Sequence, residues 1–339
     1  MRIGLAGVGR IGVMHANVLA AHADVTDLVL YDAAQGRASE VADGVRATAA
    51  GSREEFFDAE LDGLVIATAT GSHAELIRQG VERRIPVFCE KPVALDRRET
   101  EDVLADVESS GVAVQIGFHR RFDPGYVAAR ESLQRGELGE LRRVHLVSAD
   151  PAPPDASFIH TSGGIFRDLH IHDFDVLRWV TGREVTKVCA IGANRGAEFF
   201  RDAADVDEVS TLLVLDDGTL VTAQGSRYNA AGYDIRMELA GTEDTTVVGL
   251  GDRSPLRSAE PGTEFPLGPR WVLFSDRFRA AYAAEIAAFI DMAAGRRESP
   301  CTVREALAAA YIAEAADRSL REGRAVDVQQ VALTGRAGA

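Results

Sequence analysis

The first apolar run of the chain, Arg2–Gly7, ends on Gly7-Val8-Gly9-Arg10-Ile11-Gly12, and helical spacing begins at once over Ile11–Ala21. In a GxGxxG turn the first glycine permits the tight bend and the second lets backbone approach a pyrophosphate. The third lets the helix pack close to the strand. The helix N-terminus then turns unpaired N–H groups toward negative charge. The motif alone is a weak signal, but here the flanking strand and helix are both visible. Asp32 closes the second apolar run, 20 residues beyond Gly12. A carboxylate there can accept hydrogen bonds from both ribose hydroxyls and repels a 2′-phosphate. Ala33 and Ala34 follow with no adjacent Arg, so NAD is expected over NADP; Arg37 is the residue that could reverse that preference.

The same alternation continues to about residue 120. Strands are expected at Arg2–Gly7, Asp27–Asp32, Gly63–Thr68, Pro86–Glu90 and Ala113–Phe118, with helices at Ile11–Ala21, His73–Arg83 and Arg97–Ser110. Strands this apolar, each followed by a helix, indicate a parallel sheet covered on both faces, the doubly wound α/β arrangement. The rhythm then changes. A helix over Asp123–Arg135 precedes a strand at Leu141–Ser148, a Pro-rich loop from Asp150 to Pro154, and a helix around Phe166–Val180. Val209–Leu215 and Thr219–Ser226 flank the turn signal Asp216-Asp217-Gly218, and Tyr233–Ala240 and Thr245–Gly249 extend the sheet. The second half therefore reads as an α+β domain with a largely antiparallel sheet and helices on one face. Two late helices, Arg277–Ala294 and Val303–Arg321, close the chain. The expected division is 1–120 for the nucleotide, 121–330 for substrate and oligomerisation, with the late helices able to pack back on the first domain, and 331–339 as a flexible tail.

Composition narrows the partners. Lys plus Arg is 37 against 52 Asp plus Glu, a formal charge of −15, which opposes binding to nucleic acid or an anionic membrane. No apolar run is long enough to span a bilayer, and the N-terminus enters a strand pattern without a signal-peptide layout, so the cytoplasm is expected. Cys89, Cys189 and Cys301 are widely spaced and odd in number, which implies neither a disulfide framework nor a zinc knuckle.

Two places carry chemistry. Lys91, one of only two lysines, stands in Cys89-Glu90-Lys91-Pro92 at the carboxyl end of a strand, where open α/β sheets place ligands. A lysine there can donate a hydrogen bond to an oxygen that becomes alkoxide-like as hydride leaves, and Pro92 can fix the turn, in cis or trans. The competing reading is a solvated lysine in a turn. The second place is Gly163-Gly164-Ile165-Phe166-Arg167-Asp168-Leu169-His170-Ile171-His172-Asp173-Phe174-Asp175. On one continuous helix Asp168 and His172 share a face, Asp175 lies a turn further on, and His170 points elsewhere. A carboxylate beside an imidazole orients it and raises its basicity, which makes His172 a candidate general base. Ordinary surface contacts compete with this reading. A metal site built from His170, His172, Asp173 and Asp175 is a third reading, but no second cluster completes a coordination shell, so no metal is expected.

GVGRIG at 7–12, FCEKP at 88–92, GFHRRFDPGY at 117–126 and SGGIFRDLHIHDFD at 162–175 together resemble the Gfo/Idh/MocA oxidoreductases, most closely their inositol 2-dehydrogenase branch. YDIRMELAG at 233–241 and RFRAAYAAEIAAFID at 277–291 extend the resemblance over nearly the whole chain. The resemblance implies a Rossmann domain followed by an open-faced sheet domain that pairs subunits, often as a homotetramer. It implies a catalytic set of Lys91, Asp168 and His172 that oxidises a secondary hydroxyl of a cyclitol or sugar with NAD. Cofactor contacts are implied for Gly7, Gly9, Arg10, Ile11, Gly12, Asp32, Arg37, Ala67, Thr68, His73 and Glu90, and substrate contacts for Arg120, Asp150, Asp175 and Tyr233.

The chain departs from relatives in reading Thr68-Ala69 where Thr-Pro is frequent, and Ser148-Ala149-Asp150-Pro151 where Ser-Arg-Asp-Pro is frequent. The first puts the rigidity of that loop in doubt, and the second removes a cation from the substrate side. A retained-cofactor sugar oxidoreductase or NAD-dependent glycosidase of the same fold is the alternative enzyme. A non-catalytic NAD-binding sensor is the alternative of another class, and it predicts a broken catalytic set.

Overall fold

The computed structural model describes residues 1–329; the expected tail, 331–339, lies outside them. The chain divides into two compact units, Met1–Phe122 with Ala280–Leu307, and Asp123–Arg279 with the described residues from Ala308 on.

In the first unit six strands, β1 (Arg2–Ala6), β2 (Asp27–Tyr31), β3 (Thr48–Ala49), β4 (Gly63–Ile66), β5 (Val87–Glu90) and β6 (Val114–Gly117), form one sheet in the order β3-β2-β1-β4-β5-β6. Every pairing is parallel. This is the doubly wound Rossmann order, and it reverses between β1 and β4, where a crevice for a ligand opens at the strands' carboxyl ends. Every residue of β4, β5 and β6 is buried, as strands covered on both faces require. Ile3, Leu5, Leu30, Val65 and Phe88 share a core with Ile286, Phe289, Ile290 and Met292, so the late helix Arg279–Ala293 serves this sheet. Helix Arg97–Ser110 starts where the Asp96 carboxylate accepts the Glu99 N–H and stops at left-handed Gly111. The two-residue β3 has no apolar run to announce it.

In the second unit seven strands, β7 (Leu141–Ala149), β8 (Val185–Ala193), β9 (Glu208–Leu215), β10 (Leu220–Ser226), β11 (Asp234–Gly241), β12 (Thr245–Val248) and β13 (Val326–Asp327), stand in the order β12-β11-β7-β10-β9-β8-β13. The sheet is antiparallel apart from the β7–β10 pair. Val209, Thr211, Leu213 and Leu215 of β9 turn inward, while Leu212, Leu220 and Ile191, on the opposite face by register, are exposed. The sheet is open-faced. The pattern reading did not find β8, because its register slips between Val185 and Lys187 and small residues blur the alternation.

One expectation is corrected here. Phe166–Val180 is not one helix. A single turn, Ile165–Asp168, ends before Leu169-His170, and a second helix runs over Ile171–Thr181. The His170 N–H reaches five residues back to the Ile165 carbonyl, which interrupts the regular ladder. Asp168 and His172 therefore belong to different helices. The late helix expected from Arg277 likewise begins at Arg279, after a separate turn at Phe274–Arg277.

Glycine at the first turn separates two roles. A Cβ on Gly12 would lie 2.0 Å from the Gly7 carbonyl oxygen, whereas one on Gly9 would meet nothing within 4 Å. Gly12→Ala should destabilise the first unit by about 1–3 kcal/mol and lower its melting temperature by several degrees. Gly9→Ala should leave the transition essentially in place. Calorimetry on both variants checks the contrast, and equal losses would contradict it.

Candidate active site

At the switch point the backbones of two strand ends nearly touch. Gly7 has φ +88°, and a Cβ there would sit 2.6 Å from the Ala67 carbonyl and the Thr68 nitrogen, so only glycine permits this approach. The Val8 N–H donates to Asp32 Oδ2 at 2.9 Å and the Ala34 N–H to Oδ1 at 2.8 Å, which fixes the carboxylate beside the glycine turn. Arg37 sends its Nε to the Val8 carbonyl at 3.3 Å and its Nη1 to Glu40 at 3.1 Å. Its guanidinium is thus tied to the turn that Asp32 holds, with part of its charge committed to Glu40. Arg10 is exposed and Ile11 half-buried at the head of helix Arg10–Ala21. The open volume before Gly9, the helix N-terminus behind it and the oriented Asp32 fit a dinucleotide: amides for the pyrophosphate, a carboxylate for the ribose.

Ala69 takes φ −66° and ψ 143°, the backbone a proline would impose, and the Ser72 hydroxyl donates to Thr68 Oγ1 at 2.7 Å. Hydrogen bonding thus shapes this loop without a proline ring. His73 is almost sealed from solvent, with Nδ1 2.7 Å from the Pro92 carbonyl oxygen and Nε2 3.1 Å from that of Thr68. Burial lowers its pKa and the two carbonyls only partly oppose that. Its ring nitrogens are occupied with backbone, tying the β4 loop to the turn that carries Lys91.

Glu90 ends β5 with its carboxylate 2.7 Å from His15 Nε2, a fully buried ring held edge-on to Phe88 and Tyr282. His15 was not anticipated; only the spacing from Gly12 onto the buried face of its helix could have marked it. Lys91 follows, half-buried, on a cis peptide to Pro92. Burial pushes the Cys89 thiol well up, so it is an inert core group. Arg120 lies buried in the turn His119–Phe122 after β6.

In the second unit the clustered acids and histidines separate by exposure. His170, Asp173 and Asp175 are fully buried, while Asp168 and His172 are half-buried and reach solvent. His170 Nδ1 donates to Asp173 Oδ2 at 2.8 Å, and the Ser148 hydroxyl donates to Asp173 Oδ1 at 2.8 Å. His170 lies between the rings of Phe166 and Phe174. Asp150, just past β7, is anchored through its backbone to Ser226 and Asn229. Tyr233 is buried, with its N–H on the Trp271 carbonyl and its ring edge-on to Phe278. Arg227, absent from the sequence reading, places Nη1 2.9 Å from Asp168 and 3.1 Å from Asp150. It supplies a cation beside Asp150 that Ala149 does not. Among the described residues no three His, Cys, Asp or Glu side chains stand together as a metal site.

Residues 1–118 match the model described as "Oxidoreductase family, NAD-binding Rossmann fold", and residues 126–247 that of the "GFO/IDH/MocA C-terminal domain". A myo-inositol dehydrogenase of Streptomyces leeuwenhoekii is 37% identical over 333 residues, covering 95% of this chain and 98% of the relative. The crystal structure of a myo-inositol dehydrogenase from Corynebacterium glutamicum is 33% identical with a TM-score of 0.89, covering 96% of this chain and 98% of that one. That of scyllo-inositol dehydrogenase from Lactobacillus casei, with bound NAD(H) and scyllo-inositol, is 26% identical with a TM-score of 0.87, over 97% and 99%. With a Rossmann sheet that ends in a nucleotide-shaped turn and a second, open-faced sheet, the chain belongs to the Gfo/Idh/MocA family of NAD-dependent oxidoreductases.

Proposed function

We propose that the protein oxidises a secondary hydroxyl of a cyclitol, an inositol first among them, and that Lys91, Asp168 and His172 carry the chemistry. The observation that supports this most is the sorting of the five Asp and His side chains from 168 to 175. The two that a proton transfer needs reach solvent, and the other three are sealed.

NAD, when bound, supplies the acceptor for the hydride that leaves the carbinol carbon. His172 takes the hydroxyl proton, Asp168 orients the imidazole, and the Lys91 ammonium hydrogen-bonds the reacting oxygen as negative charge gathers on it. Gly7, Gly9, Arg10, Ile11 and Gly12 form the pyrophosphate turn, and Asp32 reads the ribose. Arg37, Ala67, Thr68, His73 and Glu90 shape the surrounding backbone. Arg120, Asp150, Asp175 and Tyr233 are assigned to the substrate side. The division of labour follows the two units, a nucleotide unit and a substrate unit. The open sheet face with Leu212, Leu220 and Ile191 supports a homo-oligomer. The cytoplasm is the assigned compartment, consistent with three cysteines that form no disulfide among the described residues.

Incubation with NAD and myo-, scyllo- or chiro-inositol should give NADH, and glucose or xylose a slower rate or none. No NADH from any cyclitol, with NAD binding shown by calorimetry, would overturn the substrate assignment. Lys91→Ala should cut turnover by about 10²–10⁴-fold while NAD affinity stays within a few-fold; unchanged turnover would remove Lys91 from the chemistry. Asp32→Ala should shift kcat/KM toward NADP relative to NAD. An unchanged ratio would mean that this carboxylate does not read the ribose.

A further inference from the structure

Arg227 follows the last residue of β10 and is 1% exposed, yet its two carboxylate partners, Asp168 and Asp150, keep 18% and 23% of their side-chain surface open. The cation is therefore beneath, and the acids face outward. Both contacts use the same Nη1, and among the described residues the guanidinium's Nε and Nη2 meet no hydrogen-bond partner, so the group meets these two acids through one nitrogen. Burial works against the charged guanidinium, but Asp168 and then Asp150 outweigh it and raise its pKa. A buried cation is retained only when it is paired, and the pairing here reaches a residue assigned to the reaction.

We propose that Arg227 is the positioning residue of the site, clamping the Asp168 carboxylate in its ionised form and coupling it to Asp150. This rests on the reading that Asp168 orients His172. An Asp168 whose Oδ2 faces a guanidinium is a weak base. It can orient the imidazole without taking the proton that His172 accepts from substrate, which leaves the proton on His172. The clamp also sets where Asp150 stands, because the two acids share one nitrogen.

The charged surroundings are specific. Asp205 faces both Arg227 and Asp168; burial raises its pKa, while its Oδ1 accepts the Ile165 N–H at 3.0 Å. Asp207 gives its backbone carbonyl to the Arg227 N–H at 2.8 Å and spends its carboxylate on the Arg195 and Gly196 amides. His170 and His172 lie on the segment after Asp168, with His170 committed to Asp173. Arg227 is thus a cation shared by Asp150 and Asp168 in a neighbourhood that also holds Asp205.

Removing the cation leaves acids that repel one another, so Asp168 should hold its proton to higher pH. The test compares wild type, Arg227→Met, Arg227→Lys and Arg227→Gln as full-length protein, with near-ultraviolet circular dichroism and NAD affinity as controls for folding. Carboxyl carbon NMR of Asp-labelled protein, assigned with Asp168→Asn and Asp150→Asn, reads the midpoint directly. In Arg227→Met the Asp168 midpoint should rise by about 1–3 pH units, and the acidic limb of kcat should move up with it. Arg227→Lys should restore the midpoint but only part of kcat, since a point charge keeps the field without the planar geometry. If Arg227→Met fails to fold, the Gln and Lys pair gives the same comparison. An unmoved Asp168 midpoint, with kcat lowered equally at all pH and not recovered by Lys, would overturn the proposal as merely structural. The NMR midpoint judges the clamp without activity, whereas unchanged kcat in Asp168→Asn would instead overturn the role given to Asp168.

Discussion

In the second unit a helix and the sheet meet at a buried carboxylate. Asp173 has no solvent exposure, and an unpartnered charge at that depth would cost several kcal/mol or force neutralisation. His170 and Ser148 approach its two oxygens, one from just before its helix and the other from β7. His170 stands where the second helix starts, after the break that separates it from Ile165–Asp168. The break sets the backbone from which Asp168 and His172 project. Gly225 completes the arrangement, because a Cβ at that position would lie 2.3 Å from His170 Nε2. A polar tie in the interior thus fixes the direction of residues at the surface.

The nucleotide unit solves a different problem with the same means. Its ligand end depends on backbone proximity, Gly7 against Ala67 and Thr68, and on polar side chains that secure the loops around it. His73 sets its two ring nitrogens against the Thr68 and Pro92 carbonyls, and His15 meets Glu90. Lys91 therefore sits between two residues that are each fastened to a buried imidazole. A lysine placed this way loses less freedom when it meets a ligand than one in a free turn.

How much of this was legible in the sequence depended on the range of the interactions involved. The parallel strands were legible because burial on both faces makes short continuous apolar runs, and the glycine turn because each glycine answers a local steric demand. Capping at Asp96 and Gly111 is local too. The break at Leu169-His170 was not legible, because the preference for helix along 166–180 is continuous and no glycine or proline marks the two residues between the helices. β8 escaped because its alternation slips at a bulge. Arg227 was invisible for a related reason: nothing in Ser226-Arg227-Tyr228 announces two aspartates that lie 59 and 77 positions earlier. His15 stood in plain view beside the glycine motif, but its partner Glu90 follows four strands' worth of chain.

The hydride transfer proposed above runs from a carbinol carbon of a cyclitol to NAD. The most direct measurement uses an inositol carrying deuterium on the carbon that is oxidised, with mass spectrometry of the recovered cofactor. The deuterium is expected on the reduced nicotinamide, with none lost to water. Deuterium in the solvent, or an oxidised cyclitol formed with unlabelled cofactor, would contradict it.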